Sequence, residues 1–262
     1  MSELFLHQPR QHHPNVSLFS NIEAVDNLLS LAQKQGVTVT EPFTGVSRFN
    51  GDLQILGPTE SEYEALVARH IEEVRTGEAA ARSSTPSFVK ALAADLLERV
   101  VSVFPFETLT DDGDSGPRNE SSAITLINAG GRRLLLTGDA GIPALTSAAT
   151  AYEGLFGTFQ AAPLSFIQVP HHGSKRNVGP TILNRILGRA GAPYVTGLSA
   201  AISSAKADKK HPSPKVTNAF GRRGYDVTAT EGRGICWHDG TATRPGWTAV
   251  PTLPPLDEAG DD

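Results

Sequence analysis

The sequence predicts an α/β fold, and three observations support this class. Helical and strand-like patterns alternate along the second half of the chain. A hairpin is predicted in the same half, because two apolar segments, 123–127 and 132–137, flank the turn sequence Asn-Ala-Gly-Gly. The composition is that of an ordinary globular protein, with 262 residues of which 39% are hydrophobic and 19% charged. Together these features favour layers of helix and sheet over an all-β protein.

Several classes of protein are disfavoured by composition. No apolar run approaches the roughly 18 residues that a membrane-spanning helix requires, and the first residues show no basic and apolar signal pattern. A cytoplasmic protein without membrane contact is therefore expected. Cys236 is the single cysteine, which excludes an internal disulfide and a zinc site built from cysteines alone.

The chain is expected to contain one main domain with two irregular ends. Residues 1–20 show no periodicity and are predicted to be irregular, with His12 and His13 solvated beside prolines rather than bound to metal. Residues 21–250 are predicted to form the domain. Residues 251–262 are expected to be an acidic, loosely attached tail.

Helix signals in the first half are clear at two places. Apolar residues recur at helical spacing from Ile22, and Gly36 ends the run. Thr59 and Glu62 form a capping-box pattern that opens a helix extending to about Arg75. Further helices are predicted over 88–100, 142–155, 181–187 and 214–222.

Short strands are predicted wherever brief apolar segments are bounded by turn residues. The segment 77–86 is small and polar and predicts a mobile connection, and 111–117 predicts a loop. Besides the hairpin, strands are predicted at 37–40, 53–56, 166–169, 194–197, 227–230 and 234–237.

The net charge of −5 is unevenly distributed. Between residues 171 and 235, eleven Lys or Arg stand against three Asp or Glu, so this window is strongly basic and the remainder strongly acidic. A local basic surface can hold a phosphate-bearing ligand. The alternative is that these charges are simply solvated on loops and helices, and the charge count alone favours that alternative.

Three predicted strand ends or rigid loops carry side chains that bind metals. Asp139 follows an apolar strand and can bind a cation, although it could equally cap a helix beginning at Ile142. His171 and His172 follow another strand in a Pro/Gly turn, where packing gives a poor account of two adjacent histidines. His211 lies between prolines and lysines before a helix. Neighbouring strand ends could bring these side chains to one edge of a sheet.

Five short segments carry a resemblance to a known family. They are Asn-Glu-Ser-Ser at 119–122, Leu-Leu-Thr-Gly-Asp-Ala-Gly at 135–141, Gln-Val-Pro-His-His-Gly-Ser at 168–174, His-Pro at 211–212 and Thr-Glu-Gly-Arg-Gly at 230–234. Together they resemble the metallo-β-lactamase superfamily, most closely the hydrolase domain of the DNA-uptake (competence) channel proteins, over roughly residues 20–250. The resemblance implies an αββα sandwich in which zinc, or sometimes manganese, activates a water to hydrolyse an ester or phosphodiester.

The same resemblance implies roles for individual residues. Asp139 would bind or bridge the metals, with His171, His172 and His211 as further ligands. Asp139, His172 and His211 would be catalytic, and either histidine could hydrogen-bond the leaving oxygen. Basic side chains beside these positions favour a phosphate-containing substrate, possibly nucleic acid, over a neutral lactam. The residues expected to contact substrate are Ser174, Lys175 and Lys210, with Arg176, Lys206 and Lys209 nearby.

One motif of the family is missing. The H-x-H-x-D-H motif supplies most of the ligands in the family, and no such spacing occurs among the remaining histidines. The chain is therefore expected to lack the first strands of the sandwich, to bind metal weakly and to hydrolyse substrate poorly. A truncation, a misassigned start and a second chain that completes the site all stay open as explanations.

Two other kinds of function compete with the hydrolase. A non-catalytic scaffold that binds a partner or nucleic acid would account for the missing motif, although the four metal-binding side chains argue against it. A serine or cysteine hydrolase is disfavoured because the chain contains no G-x-S-x-G sequence. Cys236 lies beside Trp237 in a predicted strand, where a structural thiol is expected.

Overall fold

A computed structural model describes residues 2–16, 21–77, 107–191, 197–208, 210–242, 244–259 and 261. The described residues form a mixed α/β structure, which confirms the predicted class. The strands are β1 (Glu3–Phe5), β2 (Thr38–Thr40), β3 (Ser47–Arg48), β4 (Leu53–Gly57), β5 (Ile124–Ala129), β6 (Arg132–Leu136), β7 (Phe166–Gln168), β8 (Ser199–Ile202) and β9 (Asp226–Ala229). The helices are α1 (Pro9–His12), α2 (Ile22–Lys34), α3 (Glu60–Thr76), α4 (Gly116–Glu120), α5 (Ile142–Phe156), α6 (Pro180–Leu187) and α7 (Pro214–Gly221).

The strands form two sheets of unequal size. Seven strands, β3 to β9, lie side by side in chain order, and β1 pairs with β2 in a separate parallel sheet. Neighbours from β3 to β6 are antiparallel, whereas β6 to β9 are parallel. Helices α5, α6 and α7 each connect two of the parallel strands, as parallel pairing requires. No described helix combines the length and the apolar character needed to cross a membrane.

The parallel half of the large sheet positions the loops that carry Asp139, His171 and His172. Leu135, Ile167, Ala200 and Val227 stand in one register row across β6 to β9, and each is at most 3% exposed. This row lies in the main core, which also includes buried side chains of α5, α6 and α7. Because the four strands run in one direction and in register, the loops that follow them leave the sheet at the same edge.

The hairpin of β5 and β6 follows the prediction closely. Ala129 pairs with Arg132, so the turn consists of Gly130 and Gly131, whose φ angles are +60° and +76°. A two-residue hairpin turn with positive φ at both positions matches the twist of the flanking strands, and glycine adopts it without steric cost.

Helix α3 begins and ends as its sequence predicts. The Glu62 backbone N–H donates to the Thr59 hydroxyl at 3.2 Å, and the Thr59 backbone N–H donates to the Glu62 carboxylate at 2.8 Å, which is a complete capping box. Gly77 ends the helix in the left-handed conformation. The side chains of Tyr63, Val67 and Ile71 in this helix pack in a second, smaller core. The other members of this core are Val16 and Ile22, and Phe43 packs against it.

The N-terminal segment is more ordered than predicted. Residues 1–20 were expected to be irregular, but Glu3–Phe5 form β1 and Pro9–His12 form α1. Strand β1 pairs with Thr38–Thr40, a segment more than 30 residues away in the chain. Local pattern cannot reveal such pairing, because three residues carry too little periodicity to identify a strand.

The acidic C-terminal segment is also attached rather than loose. The Leu253 N–H donates to the Val227 carbonyl at 2.8 Å, so the segment bonds to the outer edge of β9 at this residue. Glu258 accepts from Arg222 at 2.6 Å and from the Asn218 side chain at 2.7 Å. The tail that was expected to be loose is therefore bonded to β9 and to α7, and it satisfies one backbone carbonyl of the sheet edge.

One predicted strand is absent from the structure, and another lies mostly outside the described residues. The segment 194–197 was expected to form a strand, but Gly197 lies in a turn, residues 192–196 fall outside the described part, and the strand is Ser199–Ile202. Its Ser-Ala-Ala-Ile sequence gives a weak strand signal because alanine and serine have low β-propensity. Residues 234–237 form no strand. The helix predicted at 88–100 and the connection at 77–86, apart from Gly77, lie outside the described residues.

Candidate functional site

The loop after β6 holds Asp139 through its backbone. The Asp139 N–H donates to the Ser122 hydroxyl at 3.0 Å, and the buried Asn177 side chain donates to the Asp139 carbonyl at 2.7 Å. Gly138 has φ +57°, and a Cβ atom there would lie 3.0 Å from the Ser122 Cβ. Glycine is therefore favoured before Asp139 by its positive φ angle, and the contact with Ser122 leaves little room for a Cβ atom.

Asp139 and His171 form the closest pair among the predicted site residues. His171 follows β7, and its backbone N–H donates to the Gly138 carbonyl at 3.1 Å, which joins the two loops. The His171 Nδ1 lies 3.4 Å from Asp139 Oδ2. This nitrogen is buried, and within the described residues it has no hydrogen-bond partner.

The spacing of this pair suits a shared metal ion. Two ligands of one tetrahedral zinc ion, each with a bond of about 2.1 Å, lie about 3.4 Å apart. An unbonded nitrogen and a carboxylate oxygen 3.4 Å apart match that separation, and they are too far apart for a good hydrogen bond. The distance between His171 Nδ1 and Asp139 Oδ2 therefore fits two ligands of one divalent ion.

Both histidines of the turn after β7 have unusual backbone conformations. His171 has φ 45° and ψ 53°, and His172 has φ 58° and ψ 19°. Left-handed conformations are uncommon for residues other than glycine, and each costs on the order of 1 kcal/mol or more.

The orientation of His172 is set by a backbone carbonyl. Its Nδ1 lies 2.6 Å from the carbonyl oxygen of Ser203, which follows β8. A carbonyl oxygen can only accept, so Nδ1 carries the proton and donates it. In the neutral ring this leaves the Nε2 lone pair available to a metal, a water or a substrate proton.

His211 is held in the same way by a carboxylate. Its Nδ1 donates to Asp208 Oδ2 at 2.9 Å, and Asp208 Oδ1 accepts the backbone N–H groups of Lys210 at 2.8 Å and His211 at 3.2 Å. The pKa of Asp208 is lowered from its ordinary value, first by the Lys210 N–H and then by the His211 ring. Asp208 thus stays ionised and keeps His211 Nε2 available.

Close packing brings His211 next to the turn after β7. Gly173 has φ +81°, and a Cβ atom there would lie only 2.9 Å from the Pro212 Cβ. The Ser213 N–H donates to the Gly173 carbonyl at 3.0 Å. The ring centroids of His171 and His211 consequently lie 6.1 Å apart, and the two rings are nearly perpendicular. The ring centroids of His171 and His172 lie 5.7 Å apart.

The predicted site residues therefore differ in how close they lie to one another. Asp139 and His171 are at ligand spacing, while His172 and His211 lie beside them with their orientation set from behind. Among the described residues, the group whose three ligand atoms all lie within 4.8 Å of one another is a different one, namely His12, Glu60 and Glu64.

The residues expected to contact substrate have varied surroundings. Ser174 is buried, and its hydroxyl accepts the backbone N–H of Arg176 at 3.3 Å. The Lys175 ammonium donates to the backbone carbonyl of Asp261 in the C-terminal segment. The Lys210 side chain is exposed on the loop that carries His211, and Lys209 lies outside the described residues.

Part of the basic excess in the window 171–235 serves the fold. Three of its arginines pair with carboxylates contributed by other parts of the chain, and the Arg223 side chain is fully buried. These arginines do not form a ligand surface. The three ion pairs are Arg185 with Glu153 at 2.7 Å, Arg222 with Glu258 at 2.6 Å and Arg223 with Glu107 at 2.6 Å.

Four residues that support the site were not identified from sequence. Asp208 stands three residues before His211, and this D-x-x-H spacing was a usable signal. Ser122 belongs to the Asn-Glu-Ser-Ser segment, but its particular contact was not foreseen. Asn177 and the Ser203 carbonyl gave no signal, because a buried amide and a backbone oxygen are indistinguishable in sequence from their neighbours.

The chain was compared with protein-family models, with curated proteins and with solved structures, and no match was found in any of the three.

Proposed function

We propose that this chain is a metal-dependent hydrolase that uses a metal-activated water on a phosphate-containing substrate. The observation that carries this proposal is the pair formed by Asp139 and the unbonded His171 Nδ1, 3.4 Å apart at the shared edge of parallel strands. The proposal includes an αββα arrangement in which β1 and β2 represent the smaller sheet, and a cytoplasmic location.

The residues of the chain have separable tasks in this proposal. A divalent metal such as zinc or manganese, when bound, lowers the pKa of a coordinated water and polarises a phosphoryl oxygen. Asp139 and His171 would hold that metal. His172 and His211 keep Nε2 available, so either could accept a proton from water or, once protonated, donate to a leaving oxygen. Asp208 holds the His211 ring in place through its Nδ1.

A phosphate-containing substrate is favoured by the charges around these loops. Lys175 and Arg176 follow the histidine turn, and Lys206 and Lys210 lie on the loop that carries His211. Cations placed beside a metal site attract phosphate groups, including those of nucleic acid. A substrate without negative charge would gain nothing from this arrangement.

A non-catalytic scaffold is the second candidate. It is favoured by the incomplete ligand set, because Asp139 and His171 are at ligand spacing whereas His172 and His211 lie farther away. In that case a metal, or a second chain that completes the site, would serve partner binding rather than hydrolysis. The two candidates differ in one measurable property, which is turnover at saturating metal.

The test combines a zinc titration with turnover of bis(p-nitrophenyl) phosphate. We expect weak zinc binding at Asp139 and His171 together with slow turnover, and Asp139→Asn and His171→Gln should each remove this equivalent of zinc and abolish turnover. Asp52→Asn, which changes an exposed aspartate elsewhere, is the matched control and should behave as the unmodified chain. Zinc binding that is sensitive to Asp139→Asn but gives no turnover would favour the scaffold, whereas turnover that survives Asp139→Asn would overturn the assigned site.

A further inference from the structure

A second cluster of side chains that can bind a metal lies in the N-terminal region, between α1 and α3. His12 was expected to be solvated, but its side chain is only 4% exposed. Its Nδ1 lies 3.4 Å from Glu64 Oε1, and ligand atoms of His12, Glu60 and Glu64 all lie within 4.8 Å of one another. Glu60 and Glu64 are four residues apart on α3 and so share one face of the helix.

The His12 ring is oriented from behind by another carboxylate. Its Nε2 donates to Glu41 Oε2 at 2.8 Å, and Glu41 Oε1 in turn accepts the backbone N–H of Gln8 at 2.7 Å. With the proton on Nε2, the neutral ring presents the Nδ1 lone pair to Glu60 and Glu64. A carboxylate that accepts from the far nitrogen of a histidine is the usual support for a metal-binding imidazole.

Aromatic packing further restricts the ring. Phe43 meets the His12 ring edge-on at 5.6 Å between centroids, and Tyr63 does so at 5.2 Å. The imidazole therefore cannot rotate freely, and Nδ1 keeps its direction without a ligand. Such preorganisation lowers the entropic cost of binding an ion.

We propose that His12, Glu60 and Glu64 form a binding site for a divalent cation of the zinc class, with Glu41 as the positioning residue. One imidazole nitrogen and two carboxylates suit zinc, whose remaining position would be filled by water. Magnesium prefers an octahedral set of oxygen ligands and is disfavoured by the imidazole. The site uses none of the residues assigned to hydrolysis.

The position of the site indicates a structural role. The cation would join α1, near the N-terminus, to the first turns of α3, whose buried side chains pack with Val16 and Ile22 in the second core. A ligand that binds the folded chain and not the unfolded chain raises stability. The alternative occupant is a proton: a protonated His12 would bridge Glu41 and Glu64 as a salt bridge, and no zinc would bind.

The test is a zinc titration in the Asp139→Asn/His171→Gln background, where the hydrolytic pair cannot contribute. We expect one equivalent of zinc, with His12→Gln and Glu60→Gln each weakening it at least tenfold. His13→Gln and Glu23→Gln are matched controls, since Glu23 is likewise a first-turn glutamate, and should bind as the background does. Glu41→Gln should weaken zinc about 10–100-fold while the three ligands remain.

Thermal unfolding supplies the second measurement. Zinc at about one hundred times its Kd should raise the Tm by roughly 5–10 °C, and His12→Gln should abolish that rise. If the double-variant background fails to fold, the equivalents bound by the unmodified chain are counted instead, and His12→Gln should remove one. Zinc binding that is unchanged by His12→Gln, or no zinc binding beyond the Asp139 site, would overturn the proposal.

Discussion

The two candidate metal sites are built in opposite ways. Asp139 and His171 lie in loops that follow neighbouring parallel strands, and each loop is recognisable from its own few residues. His12, Glu60 and Glu64 lie on two helices nearly 50 residues apart, and neither segment shows a metal-binding pattern alone. A parallel sheet gathers strand ends wherever it forms, whereas a helix-surface site depends on how two particular helices pack.

Of the two regions that carry the candidate sites, the N-terminal region should lose more stability as pH falls. Burial is the main reason that the pKa of His7 falls from 6.5 to about 4, with the ring stacked on Tyr63 at 4.1 Å. Because the unfolded chain binds this proton at higher pH, stability should be complete above about pH 6.5 and decline as pH falls towards 4. The full loss is about 3 kcal/mol.

This prediction is checked by urea unfolding between pH 7 and pH 4. His7→Phe keeps an aromatic ring without a proton to bind, so its stability should decline less than that of the unmodified chain as pH falls over this range. His13→Phe is the control, because the His13 ring makes a local contact with the Asn15 N–H, and it should keep the slope. An unchanged slope in His7→Phe would contradict the assignment to His7.

At the strand-end site, Asp208→Asn should show whether the orientation of His211 affects turnover independently of stability. The amide offers only one acceptor oxygen where the two carboxylate oxygens make three contacts, so it holds the His211 ring less firmly. We expect turnover to fall about 10–100-fold, with little change in the urea midpoint. Asp257→Asn, on the exposed C-terminal segment, should leave turnover unchanged. Equal turnover in Asp208→Asn would show that His211 has no part in the reaction.

The close approach of the two histidine loops is tested by Gly173→Ala. Both Gly173 and Gly191 have φ near +80°, but a Cβ atom at Gly173 would meet Pro212 at 2.9 Å while one at Gly191 meets nothing within 4 Å. Gly173→Ala should therefore destabilise by about 1–3 kcal/mol more than Gly191→Ala, through the clash alone. Similar urea midpoints for the two variants would mean that the loops are not in contact.

The smallest effect is expected at the start of α3. Thr59→Ala removes the hydroxyl that accepts the Glu62 N–H at 3.2 Å and should lower stability by about 1 kcal/mol. The same change should weaken zinc at His12, Glu60 and Glu64, because it loosens the helix turn that carries Glu60. Thr59→Ser keeps the cap and should restore both. A zinc affinity unaffected by Thr59→Ala would indicate that the packing of α3 alone orders this turn.

Much of the parallel half could be predicted because its signals are local. Turn residues, an apolar strand and a chemically unusual residue follow one another within about ten positions at Asp139 and at His171. The missed strand β8 shows the limit, since Ser-Ala-Ala-Ile becomes a strand through burial between β7 and β9 rather than through propensity.

Sequence by itself determined the α/β class, the capping of α3, the hairpin turn and the identity of the side chains that end two parallel strands. These depend on periodicity and on the conformational limits of single residues, which are properties of neighbours in the chain. Tertiary structure alone decided that Asp208 supports His211, that the C-terminal segment is bonded to β9, and that His12 is buried against Glu41 beside α3. Burial and hydrogen-bond pairing between distant segments are set by packing, because a side chain's environment depends on which surface the rest of the chain presents to it.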